Sequence, residues 1–148
     1  MQRKIIITIT LIFVIGIGIF FYNLLNVKIT KESVISDFNQ NKEHFTIVKD
    51  YLMTQSEDYY INLNSYKEDI DDENVKNSVD HLVNMGYSKM YNIPVSNSTE
   101  SMYIAFIRKG NDKDEFGVIF AQHKSNNYGL VMDLIGNDWY YHWMGFDS

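Results

Sequence analysis

Residues 5–25 read IIITITLIFVIGIGIFFYNLL, twenty-one consecutive positions without a charged side chain, directly behind Arg3 and Lys4. As a helix rising ~1.5 Å per residue, such a run spans ~30 Å, the hydrocarbon thickness of a bilayer, and pairs its own backbone groups away from lipid. The sequence therefore predicts a short head over 1–4, a transmembrane anchor over 5–25, a linker over 26–30 and a single α+β domain over 31–148. The linker contains neither proline nor glycine, so the domain is expected to sit close to the bilayer rather than on a stalk.

The anchor reads as uncleaved. A secretory signal has a shorter apolar core and small residues at its cleavage site, whereas Tyr22, Asn23, Leu24, Leu25, Asn26 and Val27 close this run. A prepilin-type helix carries an early acidic residue, and residues 5–22 have none. Arg3 and Lys4 precede the run while Lys28 and Lys31 follow it; with so short a head, the expected orientation is amino terminus inside and the bulk of the chain outside the cytoplasm.

Residues 1–28 hold three basic side chains and no acid, so a net charge of −6 for the chain leaves −9 on residues 29–148. Nucleic acid needs a clustered basic stripe, and Arg108-Lys109 is the only adjacent basic pair in that part. The chain has no cysteine, which removes a disulfide framework, a thiol nucleophile, a Cys-ligated zinc and a lipid attachment site. A cysteine-free, tyrosine-rich chain with a single proline behind an apolar anchor resembles the small membrane-anchored accessory and immunity-type proteins of Gram-positive bacteria. This likeness is to a class and carries no residue over; under it, the Asn97-Ser98-Thr99 sequon has no role.

From Lys31 to about Gln55, apolar residues recur at Val34, Phe38, Phe45, Val48 and Leu52, with Ile35 and Tyr51 widening the stripe and Thr30 as a candidate cap, which predicts an amphipathic helix. Tyr59–Leu63 alternates and suggests a short strand. The acidic stretch 68–73 leads into Val75, Val79, Leu82 and Val83 with Gly86 beyond, a second helix capped by Asp71 or Asp72 and stopped by glycine. After Gly86 the period becomes strand-like. Candidate strands at 87–95, 101–109, 115–122, 128–135 and 138–144, separated by turn-rich segments, predict an antiparallel β-meander of four to six strands under the two helices. Strands 101–109 and 115–122 are apolar on both sides. The helices can cover one sheet face; curling of the sheet, long loops or a partner must cover the other.

Chemical motifs are sparse. The acids at 69–73 and 112–115 lack the twelve-residue calcium-loop pattern. Histidines 44, 81, 123 and 142 share no ligand spacing, and no nucleophile elbow or phosphate loop is present. No catalytic residue, metal ligand or cofactor site is assigned. The aromatic run Trp139-Tyr140-Tyr141-His142-Trp143 puts Trp139, Tyr141 and Trp143 on one strand face, a core row or a surface for stacking on a partner; headgroup-level aromatics are a third use. These three residues are the candidate partner-binding set. The functional expectation is an anchored extracytoplasmic module that binds another envelope protein. Its rivals are an envelope hydrolase acting on glycan or peptide in a cleft lined by Trp139, Tyr141 and carboxylates, and a structural homo-oligomer.

Overall fold

A computed structural model describes residue 17 and residues 29–94, 102–109, 114–121 and 131–144. Among the described residues no helix is long and apolar enough to cross a membrane; the head and the expected anchor, residue 17 excepted, lie outside them. The elements are helices α1 (Lys31–Met53), α2 (Tyr66–Asp69) and α3 (Glu73–Asn84), then strands β1 (Tyr87–Pro94), β2 (Met102–Lys109), β3 (Glu115–Ala121), β4 (Val131–Gly136) and β5 (Trp139–Met144). The domain is α+β, as the sequence predicts.

Thr30 opens α1 with a reciprocal capping box: its hydroxyl accepts the Ser33 amide at 3.2 Å, and the Ser33 hydroxyl accepts the Thr30 amide at 3.1 Å. Ile29 packs against the core, so the end of the expected linker belongs to the domain. The predicted stripe of Val34, Phe38, Phe45, Val48 and Leu52 is buried. The helix is kinked at Asn41 (φ −124°, ψ 21°). There the Asn41 amide donates to the Asp37 carbonyl at 2.8 Å, the competition with the backbone that makes asparagine a poor helix interior residue. Asp72 caps α3 by accepting the amides of Asn74 and Val75, and Gly86 stops it at φ +94°, where a β-carbon is disfavoured.

The expected strand at 59–63 shrinks to one antiparallel bridge, Tyr60 opposite Tyr91. Its bonds are Ile61 N–H to the Met90 carbonyl and Asn92 N–H to the Tyr59 carbonyl, both 3.0 Å. The chain then turns away because Asn62 accepts the amides of Ser65 and Tyr66 and starts α2, a helical turn the sequence reading did not separate from α3. The bridge covers part of the outer edge of β1.

The sheet is antiparallel throughout, with order β1-β2-β3-β5-β4. This corrects the simple meander: β5 pairs with both β3 and β4, and β4 lies outside it. Burial explains the exchange. β5 buries Trp139, Tyr140, Tyr141 and His142, residues of both faces, whereas β4 exposes Asp133 and Leu134, so the two-sided apolar strand takes the inner place. The helices cover one face, where Trp139 meets Phe38 (ring centroids 4.9 Å), Phe120 (5.3 Å), Phe106 (5.9 Å) and Phe45 (6.3 Å). On the opposite face Tyr103, Ala105, Ile107, Ile119, Ala121 and Tyr140 form a second cluster, each only 1–6% exposed in the lone chain.

Candidate functional site

The predicted aromatic row is divided by depth. Trp139 and Tyr141 are buried in the core beneath α1, while Trp143 at the strand end is exposed. The run is thus mostly packing, which the sequence reading had weighed against binding. A cleft walled by Trp139 and Tyr141 is not what their burial describes.

An open recess forms elsewhere, between the second half of α1 and the start of α3. It encloses about 460 Å³ and is lined by Ile47, Asp50, Tyr51, Thr54, Asp72, Asn74 and Val75, a volume within the range of small-ligand and side-chain pockets. Helical periodicity brings Ile47, Asp50, Tyr51 and Thr54 to one side of α1. The capping geometry of α3 presents Asp72 and Asn74 opposite them. Ile47 and Val75 give an apolar floor, and the rim is polar.

Two devices hold this shape. The Tyr51 and Tyr59 hydroxyls meet at 3.3 Å. Tyr59 is in turn fixed by Asn92, fully buried in β1, whose side-chain oxygen accepts the Tyr59 amide at 2.6 Å and whose nitrogen donates to the carbonyls of Leu52 (2.8 Å) and Ser56 (3.0 Å). The field in the recess is negative. Burial, then the hydrogen bond with Tyr59, then the negative charges of Asp69 and Asp71 raise the Tyr51 phenol well above its ordinary pKa, so the hydroxyl stays protonated. Asp50 pairs with Lys49 at 2.6 Å, and Asp72 is engaged by backbone amides. The two carboxylates therefore act as fixed charge. Neither is arranged beside a base or a reacting hydroxyl.

The histidines come together in part. His44 and His81 stack at the kink of α1, ring centroids 4.0 Å apart and 24° from parallel. His44 Nδ1 lies 3.1 Å from the Ser78 hydroxyl and His81 Nε2 lies 2.8 Å from the Asn41 side-chain oxygen. Burial, then the neighbouring His81, lower the His44 pKa against an opposing pull from Glu43. A serine beside an imidazole is the beginning of a nucleophile pair, but Ser78 is 1% exposed in mid-helix, so this contact joins helices. His142 is buried on the far sheet face with its pKa lowered by burial and raised in part by Glu115; His123 lies outside the described residues. Among the described residues no group of three His, Cys, Asp or Glu side chains could hold a metal ion, and Asp112, at the head of the 112–115 loop, also lies outside them.

Periodicity assigns Tyr51 to the apolar stripe and makes Asp71 or Asp72 a candidate cap, but does not reveal that Tyr51 and Asp72 border one recess. The available signal was the spacing of Asp50 and Thr54, polar residues four apart beside the stripe. No protein-family model, curated protein or solved structure matches this chain.

Proposed function

We propose that the chain is a single-pass membrane protein whose outer domain works by binding, and that the recess between α1 and α3 receives a cationic group, most simply a lysine or arginine side chain of another envelope protein. The recess carries this reading: Asp50 and Asp72 at its rim, Asp69 and Asp71 close enough to act on Tyr51, and protonated hydroxyls and an amide able to complete the hydrogen bonding of a guanidinium or ammonium group. Its position favours display. Asp50 lies twenty residues after Thr30, ~30 Å along helix α1 from the point where the anchor enters. The anchor concentrates the domain near other membrane proteins, and the net negative charge steers basic surfaces toward it.

The test uses the absence of cysteine. A Thr54→Cys variant of the full chain, labelled with a photoreactive maleimide in native membranes, should capture a discrete protein through a basic segment. The double variant Asp50→Asn, Asp72→Asn keeps the α3 cap, since asparagine caps as well as aspartate, yet removes two charges. At roughly 1 kcal/mol per exposed charge contact, capture should weaken roughly 10- to 30-fold. Capture indifferent to the double variant and to salt would refute the reading.

The hydrolase reading retains one observation, two carboxylates bordering a recess. It predicts that Asp50→Asn or Asp72→Asn alone abolishes cleavage of a wall-derived glycan or peptide by the intact chain.

A further inference from the structure

The contacts between α1 and β5 fix which end of the domain adjoins the anchor. Trp139 packs on Phe38, in the second turn of α1. Two residues along β5, the Tyr141 ring lies under Lys31, the first residue of α1, with Nζ 5.7 Å from the ring centroid, and the same Nζ pairs with Asp133 of β4 at 2.6 Å. Trp143 is two residues further on the same face, about 7 Å beyond Tyr141, past the end of the helix that covers the others. Trp143 is 36% exposed while Trp139 is 4% exposed. The apolar run ends at Leu25, and the five residues from there to Thr30 reach at most ~18 Å.

We infer that this end of the sheet rests on the membrane, with Trp143 seated in the interfacial layer between headgroups and acyl chains; the inference depends on the anchor of the proposed function. An amphipathic indole is suited to that layer. The charges at this end permit the approach of a domain that is acidic as a whole. Asp133 pairs with Lys31, Asp37 with Arg108 and Glu115 with Lys89, and Lys109 is exposed. Among the described residues, two acids at this end stand outside these pairs: Glu32, in the first turn of α1 where the helix dipole favours it, and Asp114, directly before Glu115. Asp72, outside these pairs, lies instead at the recess. Resting on Trp143 would turn the recess away from the lipid, toward the space where a partner arrives.

The chain has only two tryptophans, so fluorescence reads the contact directly. The full chain is reconstituted in phosphatidylcholine–phosphatidylglycerol vesicles containing phosphatidylcholine brominated high in the acyl chain, and wild type is compared with W143F. The expected result is quenching of wild-type emission, with the quenched fraction lost in W143F because buried Trp139 is out of reach. Co-flotation with vesicles but equal quenching in both proteins would overturn this inference and leave the anchor standing. Failure to co-float would remove the anchor and the inference together.

Discussion

Asn92 is the side chain whose loss should most directly join stability to the recess. It is fully buried in β1 and makes three hydrogen bonds, to the Tyr59 amide and to the carbonyls of Leu52 and Ser56. It thereby ties the end of α1 and the segment after it to the sheet. Asn92→Ala removes all three and strands polar groups that folding has withdrawn from water, at about 1 kcal/mol each. A total near 3 kcal/mol is a large share of the roughly 5–15 kcal/mol that holds a domain folded, and for this size should lower Tm by about 10–15 °C. Near-UV circular dichroism of the full chain is the suitable assay, because it follows the aromatic core. Asn92→Asp sharpens the test. Its carboxylate would face two carbonyl oxygens, so its pKa should be raised in the folded state. A raised folded pKa means that stability is highest below the unfolded value near 3.9 and falls as pH rises through the folded pKa. The Asn92→Asp variant should therefore approach wild type only in acid. A Tm drop under about 3 °C for the alanine variant, or an aspartate variant whose deficit does not depend on pH, would refute the reasoning.

Gly117→Ala should destabilise by about 3 kcal/mol, because an added β-carbon would stand 2.1 Å from the Phe106 carbonyl oxygen, backbone that cannot move without parting β2 from β3; an unchanged urea midpoint would contradict this. Acidification should weaken the fold through His44 and His142, whose folded pKa values lie below 6.5. The unfolded chain takes up these protons near 6.5 and the folded chain only further down, so stability is full above that value and declines below it. Tm measured from about pH 7.5 down to about pH 5.5 should fall, and His44→Gln should lessen the slope without abolishing it, since His142 remains. A slope identical to wild type would remove His44 from the account.

Much of the fold was legible in the sequence because periodicity is a local property. The α1 stripe, a cap at Asp71 or Asp72, the Gly86 stop and all five strands follow from neighbours within a few residues, and so does the two-sided apolar character of β2 and β3. The Asn41 kink was not legible, although an asparagine in mid-helix was visible, because the side-chain oxygen that helps hold it accepts from His81 Nε2, forty residues away. The order of the last two strands also escaped a local reading. Alternation shows that a strand has two apolar faces but not which neighbours will bury them, and only the assembled sheet gave β5 the inner place and β4 the edge. The aromatic row met the same limit: one period set the common face of Trp139, Tyr141 and Trp143, and the length of α1 decided which of them it covers. The recess was least legible of all. Its walls come from two helices and its shape depends on an asparagine in a strand, so it exists only where long-range packing brings residues 47–54 and 72–75 together. Sequence alone settled composition, charge, period and the uncharged leading run, since each is carried by the chain whatever its shape; tertiary structure decided depth, neighbours and concavity, which are properties of surfaces facing one another.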